Sequence, residues 1–76
     1  MSRLRPVKAQ RMQRALERLG YCHVRTAGSH RIFQHPVTGR RTTLAYHGGS
    51  EEVPRGTVKA ILEDLGLEWE ELERLL

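Results

Sequence analysis

Between Tyr21 and Tyr46 the turn-forming residues come so close together that only short antiparallel strands fit between them. Gly28-Ser29 marks one turn and Pro36-Val37-Thr38-Gly39 the next. They divide the segment into three expected strands, Tyr21 to Thr26, His30 to His35 and Arg41 to Tyr46. Parallel strands would need long crossovers, so the three form a meander. Alternation puts Cys22, Val24 and Thr26 on one face of the first strand and Tyr21, His23 and Arg25 on the other. In the second strand Phe33 and His30 fall on opposite faces.

Helical patterns flank this meander. Met12, Ala15, Leu16 and Leu19 repeat at helical spacing beside a stripe of Lys8, Arg11, Arg14 and Arg18. Pro6 suits a first turn and Gly20 a helix end, which predicts a helix from about Pro6 to Leu19. Val58, Ile61, Leu62 and Leu65 predict a second, from Pro54 or Thr57 to Leu65, ended by Gly66. Trp69, Leu72, Leu75 and Leu76 suggest a short terminal helix whose other side is acidic. Gly48-Gly49-Ser50 reads as a flexible loop. The expected fold is α+β: helix, three strands, helix and a small extra C-terminal helix, with helices on one sheet face and the other face open. At 76 residues the chain, 1–76, is expected to be one domain with a thin stability margin and its chemistry on an open surface.

The charge is lopsided. Net charge is +4, and up to His47 the only acid is Glu17, against Arg3, Arg5, Lys8, Arg11, Arg14, Arg18, Arg25, Arg31, Arg40 and Arg41. Beyond His47 acids predominate. Charge alone favours a nucleic-acid partner over a merely solvated helix face. Cys22 is the only cysteine, which excludes an internal disulfide and a thiolate metal cluster. No apolar run suggests a signal or a membrane span, so a cytoplasmic location is the default expectation.

The histidines are His23, His30, His35 and His47. They lack metal-ligand spacing, and no acid lies between Glu17 and Glu51, so no metal site is expected. No phosphate-binding loop or other cofactor motif occurs, and no cofactor is expected. His30 follows the Gly28-Ser29 turn and faces away from Phe33. If Phe33 fills the core, His30 stands on the open face, able to exchange protons near neutral pH. Taken alone, a single histidine at a turn is more often a surface residue than a catalyst. Ser29 could offer a hydroxyl to a phosphate or simply make the turn. His47 could approach His30 or only end its strand. Tyr46 could stack on a base or pack beside the core. Arg55, near a helix start, suits an anion but is equally an ordinary solvated side chain.

Two segments together resemble a known family. Gly28-Ser29-His30-Arg31-Ile32-Phe33-Gln34-His35-Pro36 is similar to the G-S-H-x-x-F-x-H-P signature of HicA-type toxins, and Pro54-Arg55-Gly56-Thr57-Val58-Lys59-Ala60-Ile61-Leu62 is similar to their P-K-G-T-L-x-x-I-L segment. Arg18-Leu19-Gly20-Tyr21 resembles the end of their first helix, and His47 matches the histidine after their third strand. The resemblance implies a double-stranded-RNA-binding-domain-like α-β-β-β-α fold and a metal-independent ribonuclease that degrades mRNA. It implies His30 as the catalytic residue and a HicB-type antitoxin that covers the active face. In Leu44-Ala45-Tyr46-His47 the family's usual proline is missing, and the stretch after Gly66 is longer and more acidic than the family pattern.

On this reading Lys8, Arg11, Arg14, Ser29, Arg31, His47 and Arg55 are the expected RNA contacts around His30. The competing expectations are a non-catalytic RNA-binding module, since the fold itself binds duplex RNA, and a small protein-interaction adaptor working through its acidic terminal helix.

Overall fold

The structure is a computed structural model and describes residues 3–76. In chain order it contains β1 (Val7–Lys8), α1 (Ala9–Arg18), β2 (Cys22–Ala27), β3 (His30–Gln34), β4 (Arg41–Ala45), β5 (Glu52–Val53), α2 (Arg55–Leu65) and α3 (Trp69–Glu73). The three longer strands form an antiparallel sheet in the order β2-β3-β4. With α1 and α2 on one face, this is the double-stranded-RNA-binding-domain-like α-β-β-β-α arrangement, followed by the extra helix α3.

The expected first helix is shorter than its pattern suggests. Val7 and Lys8 are strand, paired with Val53 and Glu52. Burying Val7 against Val53 stabilises extended backbone there, and Lys8 ends up beside the helix. Lys8 is also a poor N-cap, with no side-chain acceptor to offer. The loop after β4 supplies acceptors instead: Ala9 N–H donates to the Glu51 carbonyl and Gln10 N–H to the Gly49 carbonyl, both at 2.9 Å. Both longer helices end in the same left-handed turn. Tyr21 N–H reaches Leu16 O after α1 and Leu67 N–H reaches Leu62 O after α2.

The core lies between the helices and the inner face of the sheet. Met12, Ala15 and Leu16 of α1 and Val58, Ile61, Leu62 and Leu65 of α2 close over Phe33 and Leu44. Trp69 and Leu72 bring α3 into the same core. Thr42, the one buried polar side chain among the described residues, donates to Asp64 Oδ2 at 2.9 Å and ties β4 to the far end of α2.

The faces of β2 depart from simple alternation. Cys22 pairs with Gln34 and His23 with Phe33, but Arg25 pairs with Ile32, so Val24 is an extra residue. The bulge reverses the alternation. Thr26 joins His23 on the inner side, where their side chains hydrogen-bond at 2.7 Å. Arg25 moves to the outer face with Cys22, and the expected grouping of Arg25 with His23 and Tyr21 is overturned. All six residues of β2 are exposed.

Candidate functional site

The open face of the sheet is three rows deep. Directly paired residues share a face, so the strand registers give Ala27–His30–Ala45, then Arg25–Ile32–Thr43, then Cys22–Gln34–Arg41. Successive rows lie roughly 6.7 Å apart. His30 is exposed, and its cross-strand neighbours are both alanines. Their methyl groups leave space on either side of the imidazole. Among the described residues, no side chain or backbone group hydrogen-bonds its ring. Arg25 stands one row away and Arg41 two rows away, where the Arg41 guanidinium reaches Gln34 Oε1 at 3.5 Å.

Sequence reasoning did not single out Arg25 or Arg41. Arg41 could have been found from alternation once the register with β3 was known. Arg25 could not, because a bulge at Val24 leaves no mark in the periodicity of β2.

The same end of the sheet holds Ser29 and His47, and the loop that His47 opens meets the start of α1. Gly28 (φ +62°) and Ser29 make the two-residue turn between β2 and β3, and the Ser29 carbonyl accepts from Tyr46 N–H at 2.8 Å. His47 follows at once, exposed. The loop it opens is not slack. The Glu51 carboxylate accepts from His47 N–H and, at 2.9 Å, from Gly49 N–H. The His47 hydrogen bond, with the other backbone donors, holds the Glu51 carboxyl below its ordinary pKa. Gly49 itself is buried over Tyr46. The expected flexible Gly-rich loop is therefore a pinned one.

The other expected contacts lie elsewhere. Arg31 points to the helix side, where Nη1 donates to Gln13 Oε1 at 2.7 Å and the guanidinium sits 3.7 Å from the Tyr46 ring centroid. Arg31 thus packs Tyr46 inward and is not on the face of His30. Lys8 is exposed on β1. Arg14 and Arg18 lie roughly 160° around α1 from the buried Leu16. With Arg11 they border Leu75 and Leu76 near the C-terminus, and Arg18 donates to the Leu75 carbonyl. The arginine stripe and His30 therefore occupy different surfaces. Arg55 is the first residue of α2 and lines a cleft beside Trp69.

Two further histidines have structural surroundings. His35 Nδ1 accepts from Val37 and Thr38 N–H at 3.1 and 3.2 Å and so shapes the turn before β4. His23 lies over Phe33 at 5.3 Å between ring centroids. Among the described residues no three His, Cys, Asp or Glu side chains are grouped to hold a metal ion.

The fold is joined by a sequence comparison. Residues 9–67 match the family described as HicA toxin of bacterial toxin-antitoxin. The chain belongs to the HicA toxin family. It is accordingly the toxin of a toxin–antitoxin system, with an antitoxin as partner. The match runs from the first residue of α1 to just past α2, so β1 and α3 lie outside it. No curated protein sequence matches the chain. Among the described residues no helix is long and apolar enough to cross a membrane.

Proposed function

We propose that this HicA toxin, acting as one unit over 1–76 in the cytoplasm, is a metal-independent endoribonuclease of mRNA with His30 as its general acid/base. The observation that carries the reading is the setting of His30: exposed, unpartnered among the described residues and flanked by two alanines, with Arg25 in the next row. RNA carries its own nucleophile, so the protein needs to move protons and neutralise charge. His30 takes the 2′-hydroxyl proton as that oxygen bonds to phosphorus. The bond to the 5′-oxygen breaks, and the leaving oxygen takes a proton from His47 or from water. A cyclic phosphate remains on the upstream fragment. Arg25 and Arg41 supply positive charge to the phosphate on the same face, and Ser29 offers a hydroxyl at the turn. Nothing in this sequence of steps requires a metal.

The partner in this reading is a HicB-type antitoxin that covers the open sheet face and buries His30. Opposite charge would speed their encounter and orient it.

The test is His30→Ala. The side chain is exposed, so the variant should keep its circular dichroism spectrum and melting point. It should lose RNA cleavage and growth arrest, whereas the wild type should cleave in excess chelator and leave a cyclic phosphate end. A folded variant that cleaves at the wild-type rate would refute the assignment of His30. Activity lost in chelator and restored by one divalent ion would refute the metal-independent mechanism.

A further inference from the structure

On the helical side of the molecule, a cleft of about 650 Å3 opens between the N-terminal arm, α2 and α3. Apolar Leu4, Leu62, Leu67 and Trp69 and basic Arg55 and Lys59 line it. Nothing in the chemistry proposed for His30 uses it.

Two independent features point to a ligand there. The first is a buried donor without an acceptor. Trp69 is 2% exposed, and its indole Nε1 is the one buried side-chain nitrogen or oxygen lacking a hydrogen bond among the described residues. Buried donors are nearly always paired, because leaving one unpaired forfeits the hydrogen bond it made with water. The second is the start of α2. Pro54 provides no side-chain cap and the first turn contains no acid. The free N–H groups of that turn and the positive end of the helix dipole therefore favour an anion beside Arg55 and Lys59.

The lining decides what kind of anion. Glu63 and Glu68 also border the cleft. A phosphodiester chain would meet those carboxylates and an apolar surface it cannot use. A peptide segment carrying one large apolar side chain and a single carboxylate uses the apolar, basic and donor groups together: side chain on the leucines, carboxylate at Arg55 and Lys59, backbone carbonyl on the Trp69 N–H. The Arg5 side chain over Trp69 is loosely held, although Leu4 beside it packs on the core. Arg5 sits 5.3 Å from the ring centroid and 4.0 Å from Glu73, and both ion-pair side chains are about half exposed. Exposed pairs of this kind contribute little, so the Arg5 side chain can yield to an incoming acceptor.

We infer that this cleft is a second docking site for the antitoxin, taking a segment of it that bears a large apolar side chain beside one carboxylate, on the surface away from His30. The inference rests on the chain being the toxin of such a pair, and not on the catalytic role of His30. Leu4, Glu68 and Trp69 fall outside the residues matched by the family, whereas Arg55, Lys59, Leu62 and Leu67 fall within them.

The chain has a single tryptophan, so the 15N-labelled full-length protein shows one indole N–H resonance. It is titrated with the unlabelled antitoxin from the paired reading frame and, separately, with a 2′-O-methylated RNA of mixed sequence. The expected result is a marked downfield move of the indole resonance with antitoxin and none with RNA. Lys59→Glu, a substitution at an exposed position, should weaken antitoxin binding about tenfold, equivalent to ~1.4 kcal/mol, and leave RNA cleavage by the free toxin unchanged. An indole resonance indifferent to antitoxin, or unaltered antitoxin affinity in Lys59→Glu, would overturn the inference. So would a resonance that moves with RNA, which would make the cleft an RNA site. Failure of His30→Ala to abolish cleavage would leave these outcomes unaffected.

Discussion

Replacing Gly49 by alanine tests how firmly the loop beside His30 is held. Gly49 has φ +100°, and a Cβ built there would lie 2.6 Å from Tyr46 Oη, 3.0 Å from its Cζ and 3.2 Å from Gln10 Cβ. Tyr46 cannot swing aside freely, because Arg31 is stacked on it and hydrogen-bonded to Gln13. Gly48 next door has φ +105° and open space where its Cβ would go. The pair therefore separates two costs. Backbone strain, about 1–3 kcal/mol, applies to both substitutions. Overpacking, about 1–3 kcal/mol more, applies only to Gly49→Ala. A chain this size has roughly 4–11 kcal/mol in total, so the difference is a sizeable share. Taking ~2 kcal/mol for the steric part, Gly49→Ala should melt about 8–16 °C below Gly48→Ala. Thermal unfolding by circular dichroism, with urea titrations to check for equal m-values, measures this. If Gly49→Ala is no less stable than Gly48→Ala, the packing argument for a pinned loop is wrong.

The remaining predictions address charge and hydrogen bonding. Glu51 has its folded pKa depressed, so its grip on the loop is complete above the ordinary carboxylate pKa and lost as pH falls through the lowered value. Protection of the His47 and Gly49 amides, measured against their intrinsic exchange rates at each pH, should accordingly fall in acid, and Glu51→Gln should show reduced protection already at neutral pH; protection unaltered in that variant would remove Glu51 from the loop. Thr42→Val exchanges a buried hydroxyl for a methyl and loses the bond to Asp64, at a cost of about 1 kcal/mol by urea unfolding. Arg25→Ala should weaken RNA binding and flatten its salt dependence more than Arg14→Ala does, since only Arg25 shares the face of His30. Equal effects from the two would mean that the RNA path includes the outer side of α1.

Local chemistry was enough to read much of this protein. Closely spaced turns at Gly28-Ser29 and Pro36 to Gly39 leave no alternative to an antiparallel meander. The spacing of Val58, Ile61, Leu62 and Leu65 sets α2 almost to the residue, and Phe33 inside with His30 outside follows from a two-residue period. These features depend on neighbours a few positions apart. What depended on tertiary structure was everything set by residues distant in sequence. Val7 and Lys8 are strand because Glu52 and Val53 lie beside them, which no helical periodicity can announce. Arg25 faces outward because the pairing with β3 skips Val24, and Arg31 is drawn inward by Gln13 and Tyr46. A basic residue is legible as a charge in the sequence. The surface that receives the charge is decided by strand register and by partners elsewhere in the chain, and so the ten basic residues before His47 looked like one surface and proved to be several.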